Sequence, residues 1–310
     1  MKLMLRYLLQ WFAPVGLAAG VHAAEPAVLM VSSECSAVYQ EAADAAAGEL
    51  ARVGEPRHEV QQLALTEWVN YRGPAPRLYL ALGTEACAAL ARSPAPALVL
   101  CALLPRASFE RVLRESGRRI GPTLTALYLN QPLGRQLDLM RLALPQARRV
   151  GVLWGPDSHL NEAQLESAAQ ARGLQVVGAT VKPDEQVFKG LKKILDESDL
   201  LLAMADPHIY NSNSIQNILL ASFRAQVPML AFSPAYVRAG ALLAVYSTPA
   251  QIGQQAGALA RGALQGQPLG VPQYPLQFQV SVNEHVARSL GLQLDAAALT
   301  ERLRRMERGS

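Results

Sequence analysis

The sequence has little charge, few aromatic residues and few cysteines, and each shortage excludes a class of protein. Of the 310 residues, 17% are charged and 6% are aromatic, and the formal net charge is +4. Because no basic stretch is interleaved with aromatic residues, we expect no nucleic-acid partner. Three cysteines are too few for a disulfide scaffold. A hydrophobic share of 50% excludes a disordered chain.

The cysteines do not indicate a metal centre either, because they lack CxxC spacing and a neighbouring histidine cluster. Their odd number leaves at least one thiol free. Cys87 and Cys101 lie in apolar segments, so we expect both to be buried as small hydrophobic side chains. Cys35 lies in a polar loop and is the candidate for a reactive thiol.

Sequence signatures of catalysis are also missing. The chain has no GxGxxG, GxxxxGK[ST], GxSxG or HExxH motif. Serine, histidine and aspartate occur without a spacing that singles out a triad. We therefore expect no catalytic residues, no cofactor and no metal, and an activity other than that of an enzyme.

The first 23 residues have the composition of a secretory signal peptide. Lys2 and Arg6 precede a mostly apolar stretch at 8–21, and small residues flank His22 at the end of it. This pattern predicts cleavage after Ala23 and export, with an uncleaved N-terminal anchor as the alternative. Later apolar segments are all shorter than the roughly 20 residues that a membrane-spanning helix needs.

Short apolar runs alternate with amphipathic stretches along the rest of the chain. Continuous apolar runs are typical of parallel strands that are buried on both faces. We therefore predict an α/β fold with parallel sheets. The length of the chain favours two lobes over one. The predicted strands are 27–31, 60–65, 78–82, 97–102, 124–129, 150–154, 174–181, 200–205, 228–232 and 241–246, followed by a strand-like run at 277–282.

Ligands of parallel α/β sheets bind at the carboxyl ends of the strands, where loops meet helix N-termini. Polar residues follow several predicted strands, and each has a structural alternative as a turn, a helix cap or a packing residue. The candidates for ligand binding are Ser33, Gly83, Thr84, Trp154, Asp206, Ser233, Tyr236 and Tyr246.

Several stretches beyond residue 130 resemble one known family. They are Gln-Pro-Leu-Gly-Arg-Gln-Leu at 131–137, Leu-Pro-Gln-Ala-Arg-Arg-Val-Gly-Val-Leu at 144–153, Phe-Ser-Pro-Ala-Tyr-Val-Arg-Ala-Gly-Ala at 232–241, Tyr-Ser-Thr-Pro-Ala-Gln-Ile-Gly-Gln-Gln-Ala at 246–256 and Val-Ser-Val-Asn at 280–283. The chain is similar to the ABC-transporter substrate-binding proteins related to the tryptophan/tyrosine-type periplasmic binding proteins.

The resemblance implies two Rossmann-like lobes of the type I periplasmic-binding-protein kind, joined by a hinge and closing on a small ligand. The first lobe would comprise 24–129 plus 249–267, and the second 130–248 plus 275–310. The implied function is a periplasmic solute-binding component that captures an amino-acid-like or aromatic metabolite. Its implied partner is an ABC permease in the inner membrane, and we expect a monomer. A sensory module for a membrane receptor and an exported enzyme are the alternatives.

The resemblance also implies roles for the candidate residues. Asp206 would pair with a ligand amine, and a cradle of Ser33, Gly83 and Thr84 would hold its carboxylate. Trp154, Tyr236 and Tyr246 would frame the ligand side chain. The family's first-lobe acid is missing from the stretch that corresponds to it, Leu-Val-Leu-Cys-Ala-Leu-Leu-Pro-Arg at 98–106. The family's Asp-Asn-Thr is Asp-Pro-His at 206–208.

Overall fold

The computed structural model describes residues 26–52, 59–94, 97–182 and 187–309. The expected signal peptide, residues 1–23, lies outside the described residues, so its cleavage stays a prediction. Within the described ranges, no helix combines the length and apolar character that crossing a membrane requires.

Strands and helices alternate along the described chain, which confirms the predicted α/β class. The strands are β1 Val28–Ser32, β2 Val60–Ala64, β3 Leu78–Leu82, β4 Leu98–Leu104, β5 Leu124–Tyr128, β6 Arg149–Trp154, β7 Gln175–Thr180, β8 Leu200–Leu202, β9 Met229–Ala231, β10 Leu243–Tyr246 and β11 Gln279–Val282. The helices are α1 Ala37–Leu50, α2 Leu65–Trp68, α3 Thr84–Arg92, α4 Arg106–Ser116, α5 Leu133–Ala143, α6 Glu162–Gln170, α7 Val187–Glu197, α8 Ile215–Arg224, α9 Pro234–Ala239, α10 Pro249–Leu264, α11 Glu284–Ser289 and α12 Ala296–Arg308, with a short 3₁₀ helix at His159–Asn161.

The strands form two sheets. The first has the order β2-β1-β3-β4-β5 and is parallel throughout. The second has the order β11-β10-β9-β8-β6-β7 and is parallel except for β11, which pairs antiparallel with β10. Central strands are buried on both faces, as in β3, where all five residues are buried. This burial explains why the runs are continuously apolar rather than alternating.

Helix α10 lies in sequence between β10 and β11 of the second sheet but packs on the first, against α1. The two helices approach closely because two glycines of α10 face backbone carbonyls of α1. A Cβ atom at Gly253 would overlap the carbonyl oxygen of Ala42, and one at Gly257 would lie 2.6 Å from that of Ala46. We call the first sheet with its helices and α10 the first lobe, and the second sheet with its helices the second lobe.

Within the described ranges, the chain crosses between the lobes three times. The crossings lie between β5 and α5, between β10 and α10, and between α10 and β11. The exact limits expected from the sequence, 24–129 plus 249–267 and 130–248 plus 275–310, stay predictions.

The structure corrects the expectation for two cysteines. Cys87 of α3 and Cys101 of β4 are both fully buried, but they form a disulfide, with Cα atoms 5.5 Å apart. Cys35 is an exposed free thiol.

Candidate functional site

A cavity of about 130 Å³ lies between the lobes, at the carboxyl ends of strands from both sheets. Pro105 and Leu129 contribute from the first lobe, where they follow β4 and β5. The second lobe contributes the segment after β8, the residue after β9 and one residue of β10; these are Ala203, Met204, Ala205, Phe232 and Val245. Three amide side chains complete the lining, Asn130 and Gln131 of the first crossing and Gln136 of α5. We call this the interlobe cavity. Its position is the one at which parallel α/β sheets bind ligands.

The charged groups of the site lie on one side of the interlobe cavity, in a region that we call the rim. Arg106 at the start of α4 and Asp157 after β6 face it from opposite lobes, next to Ser158, Asn161 and Tyr274. The rim shares Asn130, Gln131, Gln136, Met204 and Ala205 with the interlobe cavity, so the two are continuous.

Contacts across the rim join the lobes. Arg106 Nη1 donates to Gln164 Oε1 of the second lobe at 2.9 Å, and to the Tyr274 hydroxyl at 3.3 Å. Its Nε donates to Glu110 Oε1 at 2.7 Å within α4. Burial alone lowers the pKa of Arg106, but the hydrogen bonds to Glu110 and Tyr274 outweigh it and raise the pKa. The guanidinium therefore remains charged.

Among the described residues, Asp157 has one ionic partner, and it lies on the other lobe. Its Oδ2 lies 3.8 Å from Arg111 Nη1, and a third of the side chain is exposed. This distance is within ion-pair range but too long for a hydrogen bond. The pair contributes little, as partly exposed pairs do.

Asp206, which was expected to bind a ligand amine, is built into the loop that carries Asp157. It is 2% exposed. Its Oδ2 accepts hydrogen bonds from the Asp157 and Ser158 backbone N–H groups at 3.0 and 2.9 Å and from the Ser158 hydroxyl at 2.9 Å. Its Oδ1 accepts from the His208 N–H at 3.0 Å. The carboxylate thus ties the β6–α6 loop to the segment after β8.

Ser33, Gly83 and Thr84, the expected carboxylate cradle, lie together at the ends of β1 and β3. The Ser33 hydroxyl donates to the Leu82 carbonyl at 3.1 Å and accepts from the Ala86 N–H at 3.0 Å. Gly83 has a φ of +95°, and a Cβ there would lie 2.5 Å from Ser33 Oγ. The three are not among the described residues that line the interlobe cavity or its rim.

Trp154, which was expected to frame the ligand side chain, lies inside the second lobe, and its contact with a ligand stays a prediction. It has no exposed surface and belongs to the core of the second lobe. A Cβ at Gly178 of β7 would lie 2.8 Å from its Nε1, so the ring packs flush against the neighbouring strand. Its ring therefore packs inside the lobe rather than against the interlobe cavity.

The remaining candidates lie near the interlobe cavity but do not line it. Ser233 caps α9 by accepting the Ala235 N–H at 3.1 Å. The Tyr236 hydroxyl donates to the Tyr210 carbonyl at 3.3 Å, and burial raises the pKa of Tyr236. Tyr246 donates to Gln279 Oε1 at 3.2 Å on the surface. Direct ligand contact by these residues stays a prediction.

The sequence prediction did not select Phe232, Arg106 and Asp157, which line the interlobe cavity or its rim. Phe232 packs edge-on against Tyr236 and Tyr210, with ring centroids 4.9 and 6.0 Å apart. A signal was present for all three, because each lies within four residues of the end of a predicted strand.

A buried polar network joins the three crossings next to the interlobe cavity. Gln131 Nε2 donates to Ser247 Oγ at 2.9 Å, and Gln131 Oε1 accepts from Arg135 Nη1 at 2.7 Å. Arg135 also donates to the Pro275 carbonyl at 2.9 Å and forms an ion pair with Glu307 of α12. We call this the hinge network, because it contains one residue of each crossing.

Two wider depressions, of about 380 and 390 Å³, belong to one lobe each. The larger depression surrounds Cys35 at the ends of β1 and β2. The other lies near Pro145 and Leu290, at the end of the second sheet that is opposite the interlobe cavity. The interlobe cavity is the better candidate because both lobes and the hinge network meet there. In the described part of the chain, no three histidine, cysteine or acidic side chains cluster as metal ligands would.

Solved structures share this fold over most of their length. A ligand-free, open substrate-binding protein with adhesive properties from Clostridium difficile aligns with a TM-score of 0.66 at 15% identity, covering 87% of this chain and 96% of the other. A domain from Streptococcus pneumonia in complex with L-Trp aligns with a TM-score of 0.60 at 16% identity, covering 89% and 97%. A conserved domain protein from Vibrio cholerae O1 biovar El Tor aligns with a TM-score of 0.60 at 18% identity, covering 89% and 98%. The fold is that of the type I periplasmic binding proteins.

Sequence comparison agrees with the structural likeness. The chain is 24% identical over 174 residues to a tyrosine-binding protein of Clostridioides difficile (strain R20291). That match covers 54% of this chain and spans about half the length of the relative, 49%. The model of the family described as ABC transporter substrate binding protein matches residues 99–303, more than half of the chain. The chain therefore belongs to the ABC transporter substrate-binding protein family.

Proposed function

We propose that the protein is the periplasmic solute-binding component of an ABC import system, and that it captures an amino-acid-like or aromatic metabolite between its lobes. The observation that carries this proposal is the interlobe cavity, whose walls come from strand ends of both sheets. A ligand held there touches both lobes at once and favours their closed arrangement. The tyrosine-binding relative and the L-Trp complex support the ligand class.

The hinge network supports a closing motion. Gln131 lines the interlobe cavity and also bonds to the second crossing and to Arg135. A ligand that contacts Gln131 thus acts next to the groups about which the lobes would turn. Closure would present one surface, formed by both lobes, to a permease in the inner membrane. We propose that the protein does this as a monomer.

Native mass spectrometry of the chain from residue 24 tests the proposal. We expect a monomer carrying one small molecule, which is released and identified after denaturation. An empty protein whose melting temperature does not respond to amino acids, nucleosides or vitamins would contradict ligand capture. Uptake of the identified compound by cells lacking the gene then tests import, and undiminished uptake would count against it.

A further inference from the structure

We propose that Asp157 binds an ammonium group of the ligand and that Arg106 binds a carboxylate, so that these two residues select its charged ends. Asp206 acts only by positioning Asp157. This inference rests on the proposed function. It assigns a zwitterionic ligand whose charged ends are bound by opposite lobes and whose apolar part lies in the interlobe cavity.

Both carboxylate oxygens of Asp206 are already occupied. Four donors within the protein bond to the carboxylate, at 2.9–3.0 Å. At 2% exposure it presents almost no surface to a ligand. An ammonium group would have to break the loop open to reach it, and would leave buried N–H groups without an acceptor, which is costly.

Asp157 lies directly beside it and is accessible. The Asp157 backbone N–H is one of the groups that Asp206 holds, so the buried carboxylate fixes the loop that carries the exposed one. The Asp157 side chain faces the rim and is one-third exposed. Its partner, Arg111, is 3.8 Å away, so an incoming ammonium group displaces no hydrogen bond. Carboxylates take such donors in short, charge-assisted bonds.

Arg106 faces Asp157 from the first lobe. Its Nε and Nη1 groups are engaged by Glu110, Gln164 and Tyr274. Within the described part of the chain, its Nη2 group makes no hydrogen bond, so two of its five donors are available for an anion. A cation at this position favours a carboxylate.

The interlobe cavity accepts the rest of the ligand. Apart from its three amides, its lining is apolar, and Phe232 forms an aromatic wall that Tyr236 and Tyr210 support from behind. An apolar cavity of roughly 150 Å³ accommodates a benzene ring. The volume of about 130 Å³ therefore suits one ring or a branched aliphatic side chain.

The test uses matched probes and calorimetric titration. L-tyrosine and L-tryptophan are compared with their counterparts that lack the amino group, the 3-arylpropionates, and with those that lack the carboxylate, the arylethylamines. We expect the wild-type protein to bind a zwitterion most tightly. Asp157→Asn should weaken zwitterion binding at least tenfold and leave arylpropionate binding unchanged. Arg106→Gln should weaken arylpropionate binding and leave arylethylamine binding unchanged.

Two matched variants control for charge and fold. Asp44→Asn on α1 and Arg114→Gln on α4 remove the same charges from exposed positions outside the rim and should change no affinity. If Asp157→Asn weakens zwitterion and arylpropionate equally, or weakens neither, the assignment of Asp157 is wrong.

Two outcomes separate this inference from the proposed function. If the wild-type protein binds a compound without an ammonium group as tightly as the zwitterion, the inference fails and the proposed function stands. If it binds none of the probes, the inference also fails, and the native mass spectrum alone then decides the proposed function.

Discussion

Substitution of Asp206 by asparagine tests whether the buried carboxylate holds the loop that carries Asp157. An asparagine side chain keeps the shape but has one oxygen and no charge. If the amide oxygen takes the place of Oδ2, three donors keep an acceptor, and the amide nitrogen then faces the His208 N–H.

The magnitude follows from those four bonds. Hydrogen bonds to charged acceptors contribute about 1.5–3 kcal/mol and those to neutral acceptors about 0.5–1.5 kcal/mol. The three retained bonds therefore lose about 1 kcal/mol each. The lost fourth bond adds its whole net contribution of about 1.5–3 kcal/mol, because His208 is partly exposed and its N–H regains water. We expect Asp206→Asn to lower the free energy of unfolding of the second lobe by about 4–6 kcal/mol.

Trp154 offers an assay specific to that lobe. In a chain that begins at residue 24 and carries Trp68→Phe, it is the only tryptophan. It is fully buried in the second-lobe core, so its fluorescence in urea reports the unfolding of that lobe. The rate of amide hydrogen exchange at residues 155–161 shows whether the effect lies in the loop between β6 and α6. Asp44→Asn is the exposed control. A change below 1 kcal/mol for Asp206→Asn, with unaltered exchange in the loop, would refute the reasoning.

Two further predictions concern the contact between α1 and α10. Gly253→Ala should destabilise the first lobe by about 1–3 kcal/mol in urea unfolding, because its Cβ would overlap the Ala42 carbonyl. The control, Gly48→Ala on α1, should stabilise the lobe, because no atom lies within 4 Å of its Cβ. An unchanged stability for Gly253→Ala would contradict the close packing. The hydrogen bond from Arg261 lowers the pKa of Glu49 below 4.5, so this pair stabilises the fold fully above pH 4.5 and less as the pH falls through the lowered value. The difference in melting temperature between wild type and Glu49→Gln should shrink over that range, and a difference independent of pH would be evidence against the pair.

The sheets were predictable from the sequence because burial on both faces leaves a continuous apolar run. All five residues of β3 and all five of β5 are buried, and both runs stand out. The Cys87–Cys101 disulfide was not predictable in this way. The two residues are 14 positions apart, one on a helix and one on a strand. Only the packing of α3 on β4 brings them together.

The candidate site was predictable to the level of loops but not of side chains. At the ends of β8, β9 and β10, the interlobe cavity is lined by Ala205, Phe232 and Val245. Each precedes by one position a polar residue that the sequence analysis selected. Side chains on successive residues of an extended segment point in opposite directions, so an error of one position changes the face. A polar residue after a strand also has two uses, since it can contact a ligand or, like Ser233, cap the next helix.

The placement of charge around the rim leads to a last prediction, about cooperativity. Asp157 belongs to the second lobe and Arg106 to the first, so a zwitterion connects the lobes through both of its charged ends, whereas a half-ligand engages one charge alone. Closure then contributes to affinity fully only when both ends are present, because a ligand shifts a conformational equilibrium by its differential affinity for the two states. The affinity gained by adding an ammonium group to an arylpropionate should therefore exceed the affinity gained by adding it to the corresponding uncharged arylethane. Equal gains, measured by titration of the four compounds, would mean that the two charges act independently and that closure does not couple them.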